Sequence, residues 1–108
     1  MAYTYKQAFA PSALGSGEVT AYTVPVGTTA QLRAVTAHNP TAAPITLTAN
    51  IVPSAGSFGT ANKLLSFVIG AGRAYLCPEL INQTMQTGDA LVFSGENLNV
   101  MVSVAEVV

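Results

Sequence analysis

The C-terminal stretch from Pro78 to Val108 decides the fold class, and it reads P-E-L-I-N-Q-T-M-Q-T-G-D-A-L-V-F-S-G-E-N-L-N-V-M-V-S-V-A-E-V-V. Its last part alternates, with Leu98, Val100, Val102 and Val104 on one face and Asn99, Met101, Ser103 and Ala105 on the other. A period of two residues is typical of a strand with one buried face. Turn residues at 95–97 separate it from a shorter strand at 90–94, in which Leu91 and Phe93 face one way, and Gly88-Asp89 turns the chain before both.

The beginning of the same stretch has the features of a helix start. Pro78 suits the first helical position, because the amide donor that proline lacks has no partner there. Glu79 in the first turn complements the helix dipole. We therefore expect one short helical turn near residues 78–86.

Further strands are expected upstream, because apolar runs bounded by Gly, Pro and Asn recur about every ten residues. They lie at 18–24, 28–38, 45–52, 62–69 and 73–77. The inner faces are predicted to hold Ile45, Leu47, Ala49 and Ile51, then Leu65, Phe67 and Ile69, and in the 28–38 strand Leu32, Ala34 and Thr36, with Val35 as an apolar exception. This pattern predicts an all-β fold, a single antiparallel β-sandwich or jelly roll of seven to eight short strands.

Residues 1–11 allow two interpretations. They alternate weakly, with Tyr3, Tyr5 and Phe9 as large apolar groups, and end at Pro11. They form either a first strand or an arm that reaches to a neighbouring subunit. Residues 12–17 have the composition of a flexible loop, so we assign the β-sandwich domain to 12–108.

The surface is expected to be nearly uncharged. Half of the residues are hydrophobic, only 8% are charged, and the net charge is −1, whereas ordinary globular chains carry roughly 25% charged residues. Few ions lose hydration when another protein covers such a surface, and copies of the chain repel each other little. The composition favours a homo-oligomer or a subunit of an assembly over the alternative, a soluble domain without partners.

Several classes of partner are disfavoured by the sequence. The four basic residues are scattered and form no patch, so we expect no nucleic acid as a partner. Apolar runs stay far below the roughly 18 residues of a membrane span, so no membrane is expected. The N-terminus lacks an apolar leader segment and is interpreted as a mature cytoplasmic one. Cys77 is the only cysteine and therefore forms no disulfide framework.

No pattern of catalytic or metal-ligating residues is found. His38 is the only histidine, and Ser94 lies in a Ser-Gly-Glu turn rather than in a G-x-S-x-G elbow. His38, Asp89 and Glu96 lack the spacing of metal ligands. The segment 70–73 lacks the Gly-Lys-Ser/Thr ending of a phosphate loop. We predict no enzymatic activity, no catalytic residues, no metal and no cofactor.

Three motifs of the chain resemble a family of small bacteriophage virion proteins. Residues 22–30 (Y-T-V-P-V-G-T-T-A), followed by a strand that ends at His38-Asn39, are similar to the family's Y-T-V-P-A-G-T-T turn. Residues 51–56 (I-V-P-S-A-G) precede a strand and the turn at 70–72. The third motif is E-L-I-N-Q at 79–83, followed by Gly-Asp, Ser-Gly-Glu and a closing Val-rich strand.

The resemblance covers residues from about 20 to 108, and it departs from the family in the last strand. Ser103-Val104-Ala105-Glu106 stands where the family has Ser-Gly-Val-Glu, so that Ala105 differs. The resemblance implies a structural subunit of a tailed-phage virion, made in the cytoplasm of the host bacterium. It carries no catalytic residues onto this chain.

The first expectation is a capsid decoration (cement) protein that self-associates and clamps adjoining subunits of the major capsid protein. Candidate interface residues are Tyr3, Tyr5 and Phe9 on the arm and Phe58 on the loop 53–61. Strand addition at open sheet edges is a second route to contact. The alternatives are a tail, neck or fibre component whose loop faces a host receptor, and a free carbohydrate- or ligand-binding module.

Overall fold

The computed structural model describes residues 3–108 and confirms the all-β prediction. Its described residues form nine strands and one short 3-10 helix. The strands are β1 (Tyr3–Ala13), β2 (Glu18–Thr23), β3 (Thr29–His38), β4 (Ile45–Val52), β5 (Lys63–Ile69), β6 (Ala74–Tyr75), β7 (Thr84–Met85), β8 (Ala90–Ser94) and β9 (Asn99–Val107), and the 3-10 helix is Thr60–Asn62. The two-residue strand β7 is the one that the sequence did not indicate.

Two antiparallel sheets pack face to face as a β-sandwich. The five-stranded sheet has the order β1-β9-β3-β6, with β7 also pairing with β3. The four-stranded sheet has the order β2-β8-β4-β5. Because β9 lies between β1 and β3, the C-terminal strand holds the five-stranded sheet together.

The core lies between the predicted inner faces of the central strands. Val100, Val102 and Val104 of β9 are at most 1% exposed, and Leu98 just before them is fully buried. The facing sheet contributes the fully buried side chains Leu47, Ala49, Leu91 and Phe93. The period-two pattern therefore predicted the buried faces of β4, β8 and β9 correctly.

In β3 the predicted face is wrong beyond Leu32. The β3–β9 register shifts between Leu32 and Ala34, which inserts an extra residue into β3. Leu32, Val35 and Ala37 are buried, while Ala34 and Thr36 are exposed. A bulge reverses the alternation of every residue after it, and Val35 is therefore a core residue.

The helical turn predicted near 78–86 is replaced by two consecutive tight turns and β7. Leu80 N–H donates to the Cys77 carbonyl (3.0 Å), and Gln83 N–H donates to the Leu80 carbonyl (3.2 Å). The chain then leaves the helical path, because Asn82 has φ 68° and its N–H donates to the Leu32 carbonyl of β3 (2.8 Å). Pairing with β3 provides hydrogen-bond partners for backbone N–H and C=O groups that a longer helix would have paired internally.

Asn39 is a buried polar residue that joins the end of β3 to both neighbouring loops. Its Nδ2 donates to the carbonyls of Ala43 (2.8 Å) and Ile69 (2.9 Å). Its Oδ1 accepts from the Thr41 N–H (2.9 Å) and the Thr41 hydroxyl (2.7 Å). Because the side chain is fully buried, these four bonds replace all of its contacts with water.

Candidate interaction surfaces

Two of the four predicted interface residues lie together on the outer face of the five-stranded sheet. Tyr3 and Tyr5 are 65% and 71% exposed. They are paired with Val107 and Ala105 of β9, whose side chains point away from the core. The Arg33 guanidinium lies 6.0 Å from the centroid of the Tyr5 ring, within the range of a cation–π contact.

The other two predicted residues are placed elsewhere. Phe9 follows a register shift in β1, is half-buried and packs against the core. It therefore fastens β1 to the sandwich. Phe58 is 45% exposed and lies in the loop that follows β4 of the four-stranded sheet. The structure thus brings Tyr3 and Tyr5 onto one face but does not group Phe9 or Phe58 with them.

Residues 3–13 form the edge strand β1, which pairs with β9 from Tyr3–Val107 to Ala13–Asn99. Met1 and Ala2 of the predicted segment 1–11 lie outside the described residues. Within this chain the segment is a strand that covers one side of β9. Its use as an arm on a neighbouring subunit stays a prediction.

Three shallow grooves run along the outer face of the five-stranded sheet. Among the residues that line these grooves, Arg33 is the only one of the types Asp, Glu, Lys and Arg. The grooves are lined mainly by Tyr3, Gln31, Thr84 and Val107, by Arg33, Thr36, Leu76 and Ile81, and by Pro11, His38, Asn99 and Met101. We call this surface the outer sheet face. It combines tyrosine rings, hydroxyls and amides, a composition that suits a protein partner.

One side of the sandwich, where β1 lies over β2, is closed by polar groups. The Tyr22 hydroxyl of β2 donates to the Glu106 carboxylate of β9. Lys6 of β1 lies 3.3 Å from the same carboxylate. Burial of Tyr22, and then its bond to Glu106, raise the pKa of this tyrosine above its ordinary value. These charged and polar groups protect that side against pairing with another chain.

The opposite side of the sandwich carries a pair of stacked aromatic rings. Phe67 of β5 stacks on Tyr75 of β6, with ring centroids 3.9 Å apart and an interplanar angle of 10°. Leu65 and Ile69 are buried as predicted, but Phe67 is 42% exposed, although its pairing with Leu47 places it on the inner face. Phe67 lies on β5, which among the described strands is at the edge of its sheet. Periodicity does not indicate which strands lie at sheet edges, so this surface could not be found from the sequence.

The other residues considered for catalysis, metal binding or thiol chemistry lie in a turn, at a strand end and in the core. Asp89 accepts a bond from the Gln86 N–H (2.9 Å) and so closes the turn before β8. His38 is exposed at the end of β3. Cys77 is fully buried, and burial, followed by the nearby Glu79 carboxylate, raises the pKa of its thiol to about 12. Between Tyr3 and Val108 no group of three or more His, Cys, Asp or Glu is placed to hold a metal ion.

The free energy of unfolding is expected to fall as the pH rises above about 9. The folded state keeps the proton on Cys77 up to a pKa of about 12, whereas the thiol loses it near pH 9.0 once the chain unfolds. The contribution of this thiol is therefore complete below pH 9 and is lost as the pH approaches 12, by at most about 1.4 kcal/mol per pH unit. Urea titrations at several pH values measure the slope.

Cys77→Ala provides the control for this pH dependence. The variant should show a smaller decline between pH 9 and 10 than the unaltered protein, because it lacks the thiol that deprotonates near pH 9.0 in the unfolded chain. Tyr22 and Tyr75, whose pKa values are also raised by folding, lose protons in the unfolded chain only near pH 10.0. Identical slopes in the two proteins would contradict the assignment to Cys77.

A scan against models of known protein families, a search of curated proteins and a search of solved structures each found no match. No helix in the described range 3–108 is both long and apolar enough to cross a membrane. The role of the chain is therefore inferred from its sequence motifs and its surfaces.

Proposed function

We propose that this chain is a non-enzymatic structural subunit of a tailed-phage virion, a capsid decoration (cement) protein. Its partners are the major capsid protein and further copies of itself. The observation that carries the proposal is the outer sheet face, where Tyr3 and Tyr5 stand exposed on a broad surface with few charges. The order of the three sequence motifs supports the virion context.

The outer sheet face can be covered by a partner at low cost. Its hydroxyls and amides can exchange water for protein hydrogen bonds, and among the described residues that line its grooves Arg33 is the one ion that must be desolvated or paired. Tyrosine rings supply large contact areas and lose little conformational entropy when they are immobilised. Tyr3 and Tyr5 are thus expected to act as anchors, while the smaller side chains around them exclude water.

Quantifying the chain in purified particles tests this function. A decoration protein covers the shell, so we expect hundreds of copies per particle, at a fixed ratio to the major capsid protein, with extra density on the head in electron micrographs. A few copies confined to the tail would overturn the decoration role and leave the tail component in its place. Absence from the particles would overturn the virion role altogether.

Paired variants test the face itself. Tyr3→Ala/Tyr5→Ala should weaken binding to undecorated phage heads at least tenfold, about 1.4 kcal/mol, and leave the melting temperature nearly unchanged, because both rings are mostly in solvent. Val26→Ala removes a side chain that is 92% exposed in the turn between β2 and β3, and it should bind like the unaltered protein. Equal binding by all three proteins would exclude the outer sheet face as the attachment surface.

Phe58 favours a second candidate function. Its ring is 45% exposed on the loop after β4, where it could meet a receptor of the host cell. In that case the chain is a tail, neck or fibre component. Phe58→Ala would then reduce adsorption of phage to cells without changing head stability, whereas a decoration protein attached through the outer sheet face predicts no change in either. A free carbohydrate-binding module would instead bind glycans in the absence of any particle.

A further inference from the structure

We propose that two copies of this chain pair through β5, so that their four-stranded sheets join into one continuous sheet across a two-fold axis. This inference deepens the proposed function, because it names the surface through which copies contact each other. It concerns the free protein as well, and it can be tested without phage particles.

The β5 edge has the backbone groups that such pairing needs. Within residues 3–108, β5 pairs with β4 on one side only, so the N–H and C=O groups of its other side lack a strand partner in the described part of the chain. Unpaired edges accept further strands unless charges, proline or bulges block them. The edge strand β1 carries Lys6, Pro11 and two register shifts, and β2 starts with Glu18 and has one shift. β5 also starts with a charged residue, Lys63, and has one shift, but this shift lies at the start of the strand, whereas the shift of β2 falls in its middle, between Thr20 and Tyr22.

The regular part of β5 is self-complementary. The register with β4 shifts between Leu65 and Lys63, which leaves 65–69 as an uninterrupted ladder. An antiparallel pair centred on Phe67 places this ring beside Phe67 of the second copy. On the outer face it places Ser66 opposite Val68 of the second copy. Val68 is 59% and Phe67 is 42% exposed. Pairing would therefore remove apolar surface of both side chains from contact with water.

Charge favours the antiparallel over the parallel arrangement of two copies at this edge. In the antiparallel pair the two Lys63 side chains lie at opposite ends of the joint, roughly 25 Å apart at 3.3 Å per residue. That separation exceeds the Debye length of about 8 Å at physiological salt. A parallel arrangement would place the two ammonium groups side by side and is therefore disfavoured.

The small size of the joint predicts a weak dimer. Adding one short strand to another buries on the order of 600 Å² over both copies, about half of what a stable interface needs. We expect dimers at high protein concentration, and stronger pairing where a particle holds neighbouring copies close together.

Sedimentation analysis from micromolar to millimolar protein tests the pairing. The unaltered chain should shift reversibly to dimers, and Val68→Lys should weaken this association at least tenfold, because lysine on an edge opposes strand addition. Val26→Lys adds the same charge in a turn away from β5 and should dimerise like the unaltered chain. Circular dichroism verifies that each variant is folded. A chain that stays monomeric, or equal dimerisation by Val68→Lys, would overturn the proposal.

Cysteine pairs test the register. A mixture of Ser66→Cys and Val68→Cys proteins should form a disulfide-linked heterodimer on mild oxidation, since these positions face each other. Either variant alone should cross-link slowly, because its two thiols are offset by two residues and their Cα atoms lie beyond the roughly 7 Å that a disulfide can span. Cys77 is fully buried and provides no competing thiol.

If one variant alone formed the disulfide as fast as the mixture, the proposed register, which is centred on Phe67, would be wrong. Binding to phage heads is measured separately with the same variants. If the protein does not dimerise but still binds phage heads, the β5 pairing is wrong and the proposed function stands. If it dimerises but does not bind phage heads, the pairing stands and the proposed function is wrong.

Discussion

Asn39→Asp is expected to lower the free energy of unfolding by about 4 kcal/mol at pH 7. The substitution keeps the shape of the side chain and the oxygen that accepts from Thr41. It replaces Nδ2 by a second oxygen, which would face the carbonyls of Ala43 and Ile69 at 2.8 and 2.9 Å. A buried negative charge would then lie against two acceptors, with both donated bonds lost. Urea denaturation measures the effect.

Acid should partly rescue this variant. Burial and the two carbonyls disfavour the charged form, so the pKa of the new carboxyl in the folded state would lie above its unfolded value of about 3.9. The destabilisation is therefore largest at neutral pH and shrinks as the pH falls, because a protonated carboxyl can donate to one carbonyl again.

Asn99→Asp is the matched control for Asn39→Asp. Asn99 is exposed at the start of β9, so its substitution should change the free energy of unfolding by no more than about 0.5 kcal/mol. A loss below 1 kcal/mol in Asn39→Asp, or the same loss in both variants, would contradict the role assigned to the Asn39 network.

Gly95→Ala is expected to lower the free energy of unfolding by about 3 kcal/mol. Gly95 has φ 151°, a conformation that residues with a Cβ rarely adopt. The added methyl would lie 2.6 Å from Leu98 Cδ1 and 3.2 Å from the Thr46 carbonyl oxygen. Leu98 is fully buried and has little room to move away. The melting temperature should fall by roughly 15 °C.

Gly15→Ala is the control for this second variant. A methyl at Gly15 meets no atom within 4 Å, and its φ is not positive. Alanine there should leave the stability unchanged or raise it by about 0.5 kcal/mol, because it restricts the unfolded chain. A melting temperature of Gly95→Ala within a few degrees of Gly15→Ala would show that the turn at 95–97 adjusts without strain.

The two substituted residues, Asn39 and Gly95, belong to motifs that carry the resemblance to phage virion proteins. Asn39 ends the first motif, and Gly95 lies in the Ser-Gly-Glu turn of the third. Gly27, in the Pro-Val-Gly turn, has φ 74°. Each therefore serves the geometry of a turn or a strand end. The resemblance depends on scaffold residues, whereas contacts with partners would form on the outer sheet face and along β5.

Local patterns in the sequence determined the fold class and most of the core. Alternation identified the buried faces of β4, β8 and β9, because side chains on a strand point to opposite faces whatever the strand pairs with. The sequence also identified Tyr3 and Tyr5 as candidate interface residues, and the structure leaves both exposed.

Only the tertiary structure decided which strands lie at the edges and where the alternation breaks. The bulge that buries Val35 depends on the register of β3 against β9. The expected helical turn gave way to β7 because the backbone of β3 offered partners for residues 82–85. Phe67 has the pattern of a core residue and is nevertheless exposed, because β5 is an edge strand of the sheet that the described residues form. Periodicity indicates which residues lie on each face of a strand. Which strands lie beside it is determined by contacts between residues far apart in the chain.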